Sequence, residues 1–263
     1  MSADDPLIID GVELTSRLML GSTEDCDLDL LDKVLSASGA QLVTAAIRRK
    51  PPGSTSSSIL DVFGRHAVRV IPNTSGCATA QEAVLTSQLA REATGANWVK
   101  LEITQDSRYL MPDPRELLTA AEKLAAEGFV VMPYMSDDPG LARRLEEVGC
   151  AALMPLGSPI GSGLGIANPR NIEMIVEQSS VPVIVDAGIG TASDAAQAME
   201  LGCACVATAT AIVGAGNPLH MATAMRKAIE AGRLAHLAAR IPKRREAVAS
   251  SPLTGHAVLQ RPQ

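Results

Sequence analysis

The stretch Asn97-Trp98-Val99-Lys100-Leu101-Glu102-Ile103 holds the residue types best suited to chemistry. It reads as a short buried strand, β-branched and aromatic, with Gly95 ahead of it and a polar turn after it. Side chains alternate faces along a strand, so Trp98, Lys100 and Glu102 share one face and Val99, Leu101 and Ile103 the other. A lysine and a glutamate on one face of an inner strand need a partner, solvent or a task. Two readings stay open at this point. One is a buried ion pair that satisfies only itself. The other is a lysine whose pKa is lowered by desolvation, so that its neutral amine attacks a carbonyl while Glu102 carries protons. A second acid, Asp186, ends the apolar run Val181-Pro182-Val183-Ile184-Val185. It either caps the following loop or supplies a second acid/base group. Two carboxylates and a lysine suffice for imine chemistry: one group removes the carbinolamine hydroxyl as water, and one moves protons on the neighbouring carbon.

Glycines cluster behind three apolar runs: Gly157, Gly161, Gly163 and Gly165; then Gly188 and Gly190; then Gly214 and Gly216. Singly, each need only turn the chain. As a set they suggest backbone amides that approach a phosphate, with the helix that starts near Thr191 adding its positive end. No cofactor and no metal site is expected. The five cysteines form no CxxC and no ligand cluster, which suits a reducing cytoplasm and small core residues. The four histidines, His66, His220, His236 and His256, fall on loops or outer helices. The basic run Arg48-Arg49-Lys50 either steers an anion or is a solvated loop. Met111, Met132, Met135 and Met154 are expected as core or rim filling.

Eight apolar strands must position these groups, centred on 17–21, 41–47, 68–72, 97–103, 129–134, 151–155, 181–186 and 204–208. Helical or loop segments alternate with them: 28–38, a Pro/Gly/Ser-rich insertion at 51–57, 79–94, 114–128, 138–148, a helix from 169, 191–201 and about 218–231. Such alternation forces parallel pairing. Eight units in 263 residues fit an α/β fold of the closed (β/α)8 kind, a TIM barrel, as one domain over residues 1–263. An open doubly wound sheet is the alternative. In a barrel, Lys100, Glu102 and Asp186 all stand at the C-terminal mouth, and the loops after strands seven and eight are the usual phosphate cradle. The tail from Arg240 to Gly255 is expected as a strap over the barrel.

Composition excludes several classes. Hydrophobic residues make up 46% of the chain and aromatics only 2%, which favours an aliphatic core and disfavours a stacking platform for single strands. The net charge of −6 gives no pull toward nucleic acid or an anionic membrane. The start, Met1-Ser2-Ala3-Asp4-Asp5-Pro6, lacks an apolar h-region, so no signal peptide is expected. No run is long enough and free enough of Gly and Pro to span a bilayer.

Several stretches together resemble the bacterial thiazole synthase family. They are Pro72-Asn-Thr-Ser-Gly-Cys77, Asn97-Trp-Val-Lys-Leu-Glu102, Gly128-Phe-Val-Val131, Tyr134 with Asp137-Asp138-Pro139, Met154-Pro-Leu-Gly-Ser-Pro-Ile-Gly161, Val185-Asp-Ala-Gly-Ile-Gly190 and Arg240-Ile-Pro242. The resemblance runs from about residue 7 to residue 255. It implies that Lys100 forms an imine with a phosphorylated ketose, 1-deoxyxylulose 5-phosphate in thiazole synthase. It matches Glu102 and Asp186 to the family's acid/base positions, and Gly161, Ala187 and Gly188 to its sugar-phosphate contacts. It also implies a small ubiquitin-like sulfur-carrier protein, whose C-terminal thiocarboxylate enters the barrel mouth, dehydroglycine as the source of nitrogen and carbon, and a homo-dimer or homo-tetramer. Three places depart from the pattern. Gly21-Ser22-Thr23-Glu24 replaces Gly-Thr-Gly, Ala209-Thr210 replaces Asn-Thr, and Tyr134-Met135-Ser136 replaces Tyr-Thr-Thr. They leave the imine chemistry intact and bear on which sugar is bound. Thiazole phosphate synthesis is therefore the leading expectation. The alternative is a 2-thiosugar phosphate synthase acting on a hexose 6-phosphate by the same chemistry. A Schiff-base aldolase, or a barrel kept only for binding, fits the bare residues but not the family motifs.

Overall fold

The computed structural model describes residues 5–22, 27–46 and 59–251. The chain opens with a hairpin, β1 (Leu7–Ile9) and β2 (Val12–Leu14), turned by Asp10 and Gly11 at φ 47° and 72°. Two successive positive φ values at Asp-Gly are what a two-residue hairpin loop needs. Then follow β3 (Leu18–Gly21), α1 (Leu28–Ser38), β4 (Leu42–Ala46), α2 (Ile59–Gly64), β5 (Arg69–Asn73), α3 (Ala80–Thr94) and β6 (Trp98–Leu101). The second half runs α4 (Pro114–Ala126), β7 (Val130–Met135), α5 (Pro139–Glu147), β8 (Met154–Pro155), α6 (Pro169–Gln178), β9 (Ile184–Asp186), α7 (Ala192–Glu200), β10 (Cys205–Thr208), α8 (Thr210–Val213) and α9 (Pro218–Ala238).

The eight strands from β3 to β10 pair in parallel in the order β8-β7-β6-β5-β4-β3-β10-β9. Bridges Leu153↔Val183 and Leu156↔Asp186 join the two ends, so the sheet closes into the (β/α)8 barrel. The doubly wound alternative is thereby overturned: an open sheet would leave β8 and β9 as unpaired edges.

Alternation along the strands sorts the core into two layers. Met19, Leu42, Ile71, Trp98, Met132, Met154, Ile184 and Cys205 fill the barrel, and Leu7, Ile9 and Leu14 of the hairpin plug its N-terminal end. Leu18, Leu20, Val43, Val99, Leu101, Val131, Val185 and Val206 face the helices. Helix starts follow local capping chemistry. Asp27, Thr79, Asp113, Asp138, Asn168 and Asn217 each accept a first-turn amide, and proline opens α4, α5, α6 and α9.

Some boundaries differ from the sequence reading. Residues 7–14, ahead of the first expected strand, form the hairpin plug. The sixth and seventh strands are shorter than expected, Met154–Pro155 and Ile184–Asp186; in the seventh, Pro182 cannot donate to a ladder. A short helix, α8, intervenes after β10, and α9 runs on to Ala238. The expected strap is not a packed element over its described part: residues 239–251 are exposed and non-helical, as suits a segment with Arg240, Lys243, Arg244 and Arg245. The Arg48-Arg49-Lys50 run, the insertion at 51–57, Thr23-Glu24, the tail beyond 251 and His256 lie outside the described residues. Of the methionines expected as filler, Met132 and Met154 lie inside the barrel, Met135 between barrel and helices, and Met111 is 39% exposed.

Candidate active site

The barrel mouth holds a cavity of about 630 Å³, lined by Lys100, Glu102 and Asp186. It is also lined by Gly161, Ala187, Gly188, Gly190, Ala209 and Thr210. Every site residue anticipated from the sequence thus falls on one cavity. The period of two along β6 puts Trp98 at depth, Lys100 above it and Glu102 at the rim. The same period puts Asp186 above Ile184 on β9. All three charged groups are buried, with Lys100 8%, Glu102 6% and Asp186 6% exposed.

Lys100 Nζ makes a direct ion pair with Asp186 Oδ2. Burial pulls the Lys100 pKa down, but the charges of Asp186 and Glu102 and the hydrogen bond that Asp186 accepts outweigh it, so the pKa is raised. Of the two readings open for this lysine, the raised direction favours the ion pair: desolvation alone would free the amine, and the two facing carboxylates oppose that. Burial likewise pushes the Glu102 carboxyl up; the Asp186 charge adds to this, and Lys100 and a hydrogen bond from Ser75 oppose it. The surroundings thus favour the charged form of Lys100 and the protonated form of Glu102.

Local backbone chemistry fixes Glu102. Thr74 Oγ1 donates to the Glu102 carbonyl at 2.8 Å and accepts the Glu102 amide at 2.8 Å. Ser75 Oγ donates to Glu102 Oε1 at 2.9 Å. Tyr134 stands inside the barrel with its ring centroid 5.9 Å from Lys100 Nζ, and its hydroxyl donates to the Leu110 carbonyl at 3.3 Å. Burial and the facing carboxylates push that phenol well above its usual range. Ser75 lay within a motif noted in the sequence, but nothing there tied it to Glu102. That contact depends on a turn whose geometry the sequence does not display.

The glycine-rich loops divide into two kinds. Most of the glycines let one loop lie against another. A Cβ on Gly188 would strike the Ser158 backbone, and one on Gly190 would meet Gly163 O at 2.5 Å. Gly157 N donates to Ala187 O at 3.3 Å and Gly165 N to Gly188 O at 2.8 Å. The β8–α6 loop is thereby clasped to the β9–α7 loop. A Cβ on Gly161, at φ 73°, would meet no described atom within 4 Å, and the residue opens on the cavity.

The N-terminus of α7 is not available to an anion, contrary to expectation. Asp194 Oδ2 accepts the Gly190 amide at 2.9 Å and the Thr191 amide at 3.1 Å, a capping box that places a negative charge there. The amides free for a ligand are those of Gly188 and Ile189, and of Thr210 and Ala211; none donates to a protein acceptor among the described residues. Ala187 precedes the first pair at φ 69°, a conformation that costs a non-glycine residue about 1–2 kcal/mol. It aims the turn back across the cavity directly after Asp186. At Ala209 the small side chain packs against Gly21: a Cβ on Gly21 would lie 2.8 Å from Ala209 Cβ.

The three described histidines stand apart. His66 contacts Asp32 at 3.1 Å, and His220 and His236 are exposed on α9. Among the described residues no three His, Cys, Asp or Glu side chains form a metal-ligating group. Nor is any described helix long and apolar enough to cross a membrane.

Known proteins share both the sequence pattern and the fold. Residues 8–252 match the model of the family described as thiazole biosynthesis protein ThiG. A chain in the crystal structure of the Amycolatopsis orientalis BexX/CysO complex is 36% identical. That match covers 94% of this chain and 100% of the other, with a TM-score of 0.80. Thiamine phosphate pyrophosphorylase from Pyrococcus furiosus is 17% identical over 82% of this chain and 96% of its own, with a TM-score of 0.57. At that identity only the barrel is shared.

Proposed function

This chain belongs to the ThiG thiazole biosynthesis family and is an enzyme of that type, and we propose that it binds a phosphorylated ketose as an imine on Lys100 and inserts sulfur into it. The sulfur donor in this reading is the C-terminal thiocarboxylate of a small ubiquitin-like carrier protein. The leading substrate is 1-deoxyxylulose 5-phosphate, with dehydroglycine completing a thiazole phosphate. The observation that carries the reading is the Lys100–Asp186 pair, held with Glu102 in the same cavity as two turns of free amides.

The resting charges suggest an order of events. The sugar phosphate enters with its phosphoryl oxygens on the amides of Gly188, Ile189, Thr210 and Ala211, beside Gly161. Displacing solvent weakens the hold on the lysine's proton, which passes to Asp186, the group in contact with it. The neutral amine then adds to the carbonyl carbon; the carbonyl oxygen takes the proton held by Asp186, and the nitrogen returns its extra proton to that carboxylate, giving the carbinolamine. Glu102 gives its proton to the resulting hydroxyl; the C–O bond breaks, water leaves and the protonated imine forms. The Glu102 carboxylate next takes a proton from the carbon beside the imine, which leaves an electron-rich carbon chain whose rearrangement exposes a carbonyl to sulfur.

A second reading keeps this chemistry and changes the sugar: a hexose 6-phosphate, giving a 2-thiosugar phosphate. The small pair Gly21 and Ala209 at the cavity wall favours it, since a larger residue at 209 would narrow the space there. The BexX chain is also crystallised with a second protein, CysO, which supports a protein partner for this chain under either reading.

Borohydride reduction followed by mass spectrometry tests both. An adduct on Lys100 with 1-deoxyxylulose 5-phosphate supports thiazole synthesis, and one with glucose 6-phosphate alone replaces it by the thiosugar reading. Lys100→Arg keeps the charge and removes the nucleophile. Undiminished turnover in that variant would end the imine mechanism.

A further inference from the structure

We infer that Ser75 is a positioning residue for proton transfer: it holds one oxygen of Glu102 and leaves the other to exchange the proton with the substrate. The role rests on the reading above and adds a residue to it.

The geometry begins in the turn after β5. Asn73 Oδ1 accepts the Ser75 amide at 3.1 Å, Cys77 N donates to Thr74 O at 3.0 Å, and Gly76 takes φ 88°. These contacts fix the Ser75 backbone. Thr74, from the same turn, holds the Glu102 backbone through both its amide and its carbonyl, and Thr74 N donates to Lys100 O at 3.2 Å. Turn and strand end are therefore a single braced unit, and the Ser75–Glu102 contact does not depend on chance rotamers. Ser75 is half-buried and lines the cavity.

The chemistry follows from donor counting. A serine hydroxyl has one proton to give, and Ser75 gives it to Glu102 Oε1 at 2.9 Å. An acid that has a hydrogen bond on Oε1 keeps its own proton on Oε2. When Glu102 yields that proton to the carbinolamine hydroxyl, the C–O bond breaks, water departs and the carboxylate is left with its new charge partly on Oε1. The Ser75 donor is already aimed there, and a donor to an ionised acceptor is worth more than one to a neutral acceptor. Ser75 thus has more effect on the proton transfer than on sugar binding. Nothing it touches belongs to the phosphate turns.

The test uses the full chain with whichever of the two sugar phosphates gives a wild-type adduct, in deuterium oxide, without carrier protein. The readout is deuterium uptake at the carbon beside the carbonyl, followed by NMR against pH. Ser75→Ala should slow uptake roughly tenfold with a change in KM of less than about twofold. Its alkaline limb should move to higher pH, because Glu102 loses a contact that favours its charged form. Ser75→Thr keeps the hydroxyl and should restore most of the rate. Equal thermal midpoints in the three proteins exclude loss of folding as the cause. Wild-type uptake matched by Ser75→Ala, in rate and in pH profile, overturns the role of Ser75 while leaving the imine reading intact. Absence of a wild-type adduct with either sugar overturns both.

Discussion

Replacing Lys100 with Met isolates what the buried charges cost each other. The flexible stem is kept and the cation removed, so Asp186 and Glu102 face one another without compensation. Both are about 6% exposed, so solvent screening gives little relief. Removing one partner of a buried pair costs about 3–5 kcal/mol. For a chain of this size each kcal/mol is worth about 2–4 °C, so the midpoint should fall by about 6–20 °C at pH 8. The loss must depend on pH, and the sign is fixed. Lys100 is a cause that lowers the Glu102 pKa, so its removal raises that pKa further above the 4.5 of an ordinary glutamate. A carboxyl with a raised folded-state pKa supports folding while protonated; that support is complete below 4.5 and is lost as pH rises through the folded value. The raised pKa of Lys100 itself gives support that is fully present below 10.5, and so is constant over the range tested. The deficit of Lys100→Met should accordingly be smaller at pH 5 than at pH 8. Adding Asp186→Asn to Lys100→Met should recover stability at pH 8. The assay is thermal unfolding of the three proteins at both pH values. Equal deficits at pH 5 and pH 8, or no recovery in the double variant, would refute the arrangement of charges described here.

Three further perturbations separate loop clasping from ligand binding. Gly188→Ala drives a methyl into the Ser158 backbone at φ 78° and should cost roughly 2–4 kcal/mol, measured by urea unfolding. Gly161→Ala meets open space and should cost only about 1 kcal/mol, for its positive φ. Asp194→Ala removes the acceptor of two amides at the start of α7 and should destabilise by about 1 kcal/mol. It also exposes positive dipole there, so inorganic phosphate should raise its thermal midpoint more than that of wild type.

What the sequence disclosed depended on how far apart the cooperating residues lie. The period of two in Trp98, Lys100 and Glu102 is local, and it assigned the inner face correctly. The alternation of apolar runs with helical ones is likewise local in each unit, and eight repeats sufficed for a barrel. The capping box Thr191-Ala-Ser-Asp194 was equally local, and its spacing was in view; the glycines ahead of it drew the reading toward phosphate instead. Other features were not legible. Ala187 adopts a backbone angle that only glycine would have advertised. The hairpin's role as a plug appears only once eight strands close around Leu7, Ile9 and Leu14. The proton on Lys100 depends on Asp186, which belongs to β9 and meets β6 only across the barrel.

That last dependence changes how the amine should be understood. A lysine kept neutral by burial alone would be reactive at all times, toward any carbonyl that entered the mouth. Here the amine is masked by its own acid, and the acid that masks it is also the nearest acceptor for the proton that must leave. Unmasking then needs only transfer across an existing contact, with no loss of a proton to bulk water from a group 8% exposed. The transfer turns the contact ion pair into a neutral pair, and expelling water penalises the charged form more than the neutral one. Under the proposed imine chemistry, an occupant that expels water would activate the amine, and an empty mouth would leave it paired with Asp186.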